Sequence, residues 1–86
     1  MNNQQAKIFA ASLGGRMPEL DLHGLYPNEA LEKSELFLFA NREEQKCRVI
    51  YGMGTGKLKQ AILVYLKKHP LVEDVFDEGG SCVVIF

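Results

Sequence analysis

The 86-residue sequence lacks any long hydrophobic run and lacks a positively charged start. Its apolar stretches fall far short of the roughly 20 residues that a membrane-spanning helix needs. Its opening, MNNQQ, does not contain the cationic residues that begin a signal peptide. Both absences favour a cytoplasmic protein that makes no contact with a membrane.

Cysteine is also scarce, with only Cys47 and Cys82 in the chain. Each stands alone in an apolar, strand-like run. The chain therefore has neither the CxxC spacing of a metal site nor the cysteine density of a disulfide scaffold. We predict that both are reduced residues of the core.

Acidic residues are missing from positions 45–72, although the whole chain has a net charge of −1. That segment contains the cations Lys46, Arg48, Lys57, Lys59, Lys67 and Lys68. A basic segment attracts phosphate weakly and with a steep dependence on salt. An ordinary solvated helix face has the same composition, so charge alone leaves both interpretations open.

What the chain does have is the composition of an ordinary globular protein, with 47% hydrophobic and 24% charged residues. At this length it forms one domain. Residues 1–18 show no clean periodicity, and we predict an N-terminal arm there and a domain at 19–86. Within the domain, apolar periodicity predicts strands at 19–22, 47–51, 72–76 and 82–86 and helices at 27–40 and 57–69.

This βαβαββ order predicts a two-layer α/β sandwich with two helices and a mixed four-stranded sheet. Right-handed crossovers make the early strands parallel, and the closing hairpin adds an antiparallel pair. Pro27 suits the first turn of the first helix. Leu36 and Phe39 lie off the apolar stripe of that helix, so we expect the arm or a partner molecule to cover them.

Two short motifs carry the candidate chemistry: LDLHG at 20–24 and YGMGTGK at 51–57. Each is typical of the carboxyl end of a strand that is followed by a helix. The carboxyl ends of parallel strands meet on one rim of a sheet, where α/β folds bind their ligands. Asp21 and His23 are two residues apart and therefore point to the same side of their strand.

Cleavage of a phosphodiester needs a group that takes a proton, a group that gives one, and stabilisation of charge on the phosphoryl oxygens. His23 has a side chain suited to proton transfer near neutral pH. Asp21 is placed to orient the imidazole or to hold a metal ion. The amides of 52–56 and the start of the second helix, beside Lys57, form an anion site.

Each motif also has a purely structural interpretation. Asp21 caps the turn before the first helix, and His23 is a hydrogen-bonding residue in that turn. The glycines at 52–56 serve a backbone that needs positive φ between strand and helix. The presence of both motifs on one rim, beside a basic segment, favours function.

Together these features resemble the Smr (small MutS-related) domain family. The resemblance covers 19–86 and includes LDLHG, GMGTG, the basic helix and the acidic hairpin before a final apolar strand. A P-loop would need glycine in place of Tyr51 and Ser or Thr in place of Leu58. A dinucleotide-binding fingerprint would need glycine in place of Lys57.

The resemblance implies a nucleic-acid-binding domain that in several members nicks DNA or cuts RNA. The catalytic positions that it transfers are Asp21 and His23. Many relatives have His where this chain has Tyr51, which puts a two-imidazole mechanism in doubt, although a phenol can donate to a phosphate oxygen. We expect phosphate or nucleic acid to contact Gly24, Tyr51, Gly52, Met53, Gly54, Thr55, Gly56, Lys57 and Lys59.

No spacing in the sequence demands a metal, and we assign no metal ligands. Asp21 and His23 supply only two candidates, although substrate phosphates can complete the shell of a Mg²⁺ ion, which stays open. The acidic turn at 77–78 repels a nucleic-acid backbone, so we expect it to lie away from the surface that binds nucleic acid.

Three hypotheses follow. The first is an endonuclease that hydrolyses phosphodiester bonds in DNA or RNA. The second is a nucleic-acid-binding module without catalysis, favoured by Tyr51. The third is a protein-interaction domain, or a self-associating one, that uses Leu36, Phe39 and the arm. A chain this short is also consistent with a fragment of a longer protein.

Overall fold

The computed structural model describes residues 16–86. Two helices and four strands follow the order βαβαββ. They are β1 (Glu19–Asp21), α1 (Pro27–Ala40), β2 (Lys46–Ile50), α2 (Lys57–Lys68), β3 (Asp74–Asp77) and β4 (Ser81–Ile85). This confirms the predicted α/β architecture, and every element ends within about two residues of its predicted boundary. None of the described helices is long and apolar enough to cross a membrane.

The strand order in the sheet is β1-β2-β4-β3. β1 pairs with β2 in parallel, and β4 pairs antiparallel with both β2 and β3. β4 therefore lies between β2 and β3 rather than at the edge. Because β4 runs against its neighbours, its first residue, Ser81, pairs with Ile50 at the end of β2. The turn between β3 and β4 thus lies on the same rim as the ends of β1 and β2.

Only the last three residues of the predicted arm are described, since 1–15 lie outside the described part. Their contacts continue the fold. The Pro18 carbonyl accepts a hydrogen bond of 2.8 Å from the Arg48 amide, which extends the β1–β2 pairing by one residue. The Arg16 Nε atom lies 3.3 Å from Glu44 Oε1.

One face of the sheet packs against the helices and forms the core. Cys47 and Val49 of β2, with Cys82 and Val84 of β4, are fully buried there. Both cysteines are free thiols, as predicted. Burial raises the pKa of Cys47 to about 12, so its thiol stays protonated and unreactive at neutral pH.

The face of α1 that packs on the sheet contains Ala30, Ser34 and Leu38, all of them buried. The Ser34 hydroxyl donates a 2.7 Å hydrogen bond to the Ala30 carbonyl, so its burial leaves no unpaired donor. Leu36 and Phe39 lie outside this face, with exposed fractions of 73% and 60%. That a partner or the arm covers them stays a prediction.

A polar cluster joins helix α2 to α1 at the end of α2 that lies away from the glycines at 52–56. The Tyr65 hydroxyl donates to Glu35, and His69 Nε2 donates to the same carboxylate at 3.0 Å. His69 Nδ1 accepts from the Leu71 amide at 3.1 Å. This second histidine of the chain is therefore committed on both ring nitrogens and has a structural role.

Two leucines of α1 test this packing. Leu38→Ala removes a fully buried side chain, and we expect it to lower the free energy of unfolding by about 2–5 kcal/mol. Leu36→Ala, two residues away on the exposed side of the helix, should change it by no more than about 0.5 kcal/mol. Urea denaturation followed by circular dichroism measures both. Equal losses in the two variants would contradict the assignment of the buried face.

Candidate active site

The rim where β1 and β2 end opens into a cleft of about 450 Å³. Its walls come from residues 23–26 in the turn after β1, residues 51–56 in the loop after β2, and Leu58 and Lys59 of α2. The parallel pairing of Asp21 with Ile50 places both strand ends at this rim. The structure therefore brings His23 and the glycine-rich loop (residues 52–56) into one cleft.

Asp21 and His23 form a directly bonded pair on the exposed side of the rim. The His23 Nδ1–H donates to Asp21 Oδ1 over 2.5 Å, and the His23 backbone amide donates to the same oxygen at 3.1 Å. The imidazole hydrogen bond is the main cause that lowers the pKa of Asp21. The carboxylate therefore stays ionised, and in the neutral imidazole the unprotonated nitrogen is Nε2.

The glycine-rich loop approaches His23 closely at its first residue. Gly52 has φ of +81°, and a Cβ atom built on it would lie 3.3 Å from the Cβ atom of His23. Any larger residue there combines an unfavourable backbone conformation with a crowded contact. Glycine at this position thus allows the loop to lie against the side chain of His23.

At its other end, the loop becomes the start of α2. Gly56 is the N-terminal cap of this helix, with φ of +88°, and it has no side chain that could accept from the first amides. The first turn contains no acidic residue, and Lys57 is its exposed first residue. The Lys57 amide donates to Thr55 Oγ1 at 3.4 Å. The other amides of the first turn and the helix dipole make this end attractive to an anion.

Tyr51 occupies the cleft wall, but its hydroxyl is directed elsewhere. The side chain is 3% exposed, and the hydroxyl donates to Asp77 Oδ1 at 2.5 Å, with the Ser81 carbonyl oxygen at 3.0 Å. Burial and the carboxylate both raise the pKa of Tyr51 above its ordinary value. The phenol therefore has no free proton for a phosphate oxygen in this arrangement, because its one proton is committed to Asp77. Contact of Tyr51 with phosphate or nucleic acid stays a prediction.

The acidic turn does not lie away from the glycine-rich loop, contrary to the prediction. The amides of Tyr51 and Gly52 both donate to the Gly80 carbonyl, at 3.0 and 2.8 Å. Lys59 Nζ lies 2.9 Å from Asp77 Oδ2. The Tyr51 hydroxyl and the Lys59 ammonium together lower the pKa of Asp77 to about 2. This turn supports the loop, and its carboxylate offsets the charge of Lys59.

The basic segment seen in the sequence does not form one patch. Lys46 is buried, and Arg48 lies between Glu19 at 3.3 Å and Glu78 at 3.2 Å. Lys67 and Lys68 occupy the last turn of α2, at the opposite end from the cleft. Of these cations only Lys57 and Lys59 belong to the first turn of α2 beside the loop, and within 16–86 Lys57 makes no ion pair.

Sequence reasoning missed Tyr26, which lines the cleft three residues after His23 and is 75% exposed. Its position before Pro27, at the start of α1, was the available signal. Met53, on the loop side of the cleft, is 74% exposed. The cleft thus has apolar surface as well as polar groups.

For a metal ion the described residues offer little. Within 16–86, no group of three or more His, Cys, Asp and Glu side chains is arranged to hold one. Asp21 is bonded to His23, which lines the cleft, and the hydrogen bond between them already engages one oxygen and one nitrogen. A Mg²⁺ ion at this rim would depend on ligands from the substrate.

The turn that supports the loop gives a prediction about acid stability. The lowered pKa of Asp77 means that its carboxylate stabilises the fold above its ordinary pKa of 3.8, and that this contribution is lost as pH falls towards about 2. Asp77→Asn should therefore lower stability at neutral pH and make the loss on acidification shallower. Urea denaturation over a pH series measures both effects.

Glu43→Gln, which removes an exposed carboxylate from the loop after α1, is the matched control. It should leave the stability and its acid dependence close to those of the original chain. The prediction fails when Asp77→Asn behaves like this control.

Comparison with known proteins agrees with this geometry. Residues 20–85 match the family model of the Smr domain. Endonuclease MutS2 of Thermomicrobium roseum is 42% identical over 60 residues, which are 65% of this chain and 7% of that protein. Ribosome rescue factor SmrB of Shewanella oneidensis is 43% identical over 56 residues, which are 63% of this chain and 32% of that protein.

A solved structure also resembles the fold. The crystal structure of the Smr domain of Thermus thermophilus MutS2 superposes with a TM-score of 0.75 at 36% identity, covering 80% of this chain and 96% of that domain. The chain spans less than a third of the length of these two curated relatives. The family model matches most of this chain, and the solved Smr domain matches its fold over nearly the whole length of that domain. This chain therefore belongs to the Smr domain family.

Proposed function

We propose that this Smr domain binds nucleic acid through its phosphate backbone and cleaves a phosphodiester bond in the cleft. The observation that carries the proposal is the placement of His23, held by Asp21, against a glycine-rich loop that leads into the start of α2. The names of two relatives, an endonuclease and a ribosome rescue factor, support a role on nucleic acid.

His23 is the proton-transferring group in this proposal. With Nδ1–H donated to Asp21, Nε2 of the neutral ring takes the proton of an attacking hydroxyl, from water or from a ribose. The new phosphorus–oxygen bond forms as the bond to the leaving oxygen breaks, and that oxygen takes a proton from the imidazolium or from water. Asp21 holds the tautomer and stabilises the imidazolium that forms, which makes it a positioning residue.

The phosphate group has its own ligands. The Gly52 and Lys57 amides already have acceptors within the protein, so the donors are the other amides of the glycine-rich loop and of the first turn of α2. The ammonium of Lys57 adds positive charge. Close contact between Gly52 and His23 keeps the anion site and the imidazole near one another. One phosphodiester can therefore be gripped and attacked in the same cleft.

A second candidate function is supported by Tyr51. Because its hydroxyl is committed to Asp77, His23 is the one imidazole among the residues that line the cleft. A single group must then both take and give protons, or leave one of these steps to water. Binding of nucleic acid without cleavage is the alternative that this arrangement favours.

Cleavage assays separate the two. The protein would be incubated with supercoiled plasmid and with structured RNA, each with magnesium and with chelator. His23→Ala should reduce cleavage by about 100-fold or more. Asp21→Asn should reduce it less, because the asparagine oxygen still accepts from Nδ1 but carries no charge.

His69→Gln is the matched histidine control for this assay, since His69 lies away from the cleft. It should leave the cleavage rate unchanged at a temperature where the variant is folded. If the original chain and the His23 variant cut equally little while binding persists at low salt, cleavage is rejected and the binding module stands.

The anion site makes a separate prediction about binding. Lys57→Gln should weaken binding to DNA and to RNA several-fold and reduce the slope of log affinity against log salt by about 0.7–0.9. Lys67→Gln, near the other end of the same helix, is the charge-matched control and should change neither. Fluorescence anisotropy over a salt series measures both. Equal effects of the two variants would place the phosphate contact outside the start of α2.

A further inference from the structure

We infer that the exposed ring of Tyr26 stacks on a nucleobase and that the cleft therefore selects unpaired nucleotides over duplex. This inference rests on the proposed function and adds the class of substrate to it. The observation behind it is an aromatic side chain, 75% exposed, that lines the same cleft as His23.

The cleft is lined by both polar and apolar groups. His23 and the amides of the glycine-rich loop are polar, and a phosphate binds there in the proposal above. Leu25, Met53 and Leu58 are apolar, and Tyr26 adds an aromatic ring. A nucleotide likewise combines a charged phosphate with a flat base. The volume of about 450 Å³ lies within the range of small-molecule sites.

The backbone holds Tyr26 in place. Its φ of −74° and ψ of 152° are the extended values that a following proline imposes, and Pro27 follows. Its carbonyl accepts a 3.0 Å hydrogen bond from the Ala30 amide at the start of α1. An aromatic side chain on such a fixed backbone loses little conformational freedom when a base stacks on it.

The ring of Tyr26 is also free to stack on a ligand. Phe39, an exposed aromatic residue of α1, differs in this respect. The Phe39 ring already has the Arg42 guanidinium 4.0 Å from its centre. Within residues 16–86, no ring or cation packs on the face of Tyr26. Exposed aromatic faces are the surfaces on which single-stranded nucleic acids stack their bases.

Preference for unpaired nucleotides follows from this geometry. In a duplex each base face is covered by its neighbours, so stacking on Tyr26 would require a base to leave the helix, which costs free energy. A base in a single strand, loop or bulge offers its face at a smaller cost. The phosphate site alone has no such preference, because both forms present phosphates.

The experiment compares three probes of equal length by fluorescence anisotropy: oligothymidylate, an oligomer of abasic deoxyribose phosphates, and a blunt duplex. The original chain should bind oligothymidylate about tenfold more tightly than the abasic oligomer, the order expected for one stacked base. The duplex should bind no more tightly than the abasic oligomer.

Tyr26→Ala should lose the preference for oligothymidylate and bind the abasic oligomer as before. Tyr26→Phe should restore most of the preference, because stacking uses the ring rather than the hydroxyl. Phe39→Ala removes a ring that is 60% exposed and does not line the cleft, and it should retain the full preference.

The outcomes distinguish this inference from the function on which it rests. Retention of the preference in Tyr26→Ala, or equal binding of duplex and oligothymidylate by the original chain, overturns the role of Tyr26 while phosphate binding stands. If the original chain binds none of the three probes and no structured RNA at low salt, the proposed function fails and this inference fails with it.

Discussion

Parallel pairing of β1 with β2 is the constraint on which the site depends. It places the residues after β1 and the residues after β2 at one rim, with Asp21 opposite Ile50. Two segments about thirty residues apart in the chain thereby share a cleft, and Gly52 lies against His23. Without that pairing, the imidazole and the glycine-rich loop would be unrelated turns, each with its own structural purpose.

Insertion of β4 between β2 and β3 adds a second level of support. It brings the β3–β4 turn to the same rim, where the Gly80 carbonyl accepts from the amides of Tyr51 and Gly52. Asp77 then receives the Tyr51 hydroxyl and pairs with Lys59. The loop beside His23 is thus held from one side by its own strand and from the other by the hairpin, which preorganises its amides before any ligand binds.

Much of this was accessible from the sequence, because local rules govern the elements involved. Apolar periodicity, Pro27 and the glycines of the loop located the strands and helices, and the two motifs at strand ends predicted a shared rim. Strand order was not accessible, since periodicity does not reveal which strands pair. The sequence therefore did not reveal that the Tyr51 hydroxyl bonds to Asp77. For the same reason, the predicted position of the acidic turn was wrong.

The charge pattern is a second example of a feature that the sequence alone could not place in space. The cations of the basic segment are divided between β2, where Lys46 and Arg48 lie on the face opposite the core residues Cys47 and Val49, and the two ends of α2. Arg48 and Lys59 are both paired with carboxylates, so neither brings a full positive charge to a ligand.

Three local features can attract an anion in or beside the cleft: a helix start without an acidic residue, the amides of the glycine-rich loop, and the exposed Lys57, which adjoins the cleft without lining it. Such a site attracts one phosphate at short range, because the field of a helix end falls off within about a turn. Within residues 16–86 the basic segment does not form one patch, so this part of the chain has no broad positive surface to hold a long backbone. In the proposed function, recognition beyond that phosphate comes from short-range contact, and the apolar and aromatic residues that line the same cleft as His23 are the surface within reach.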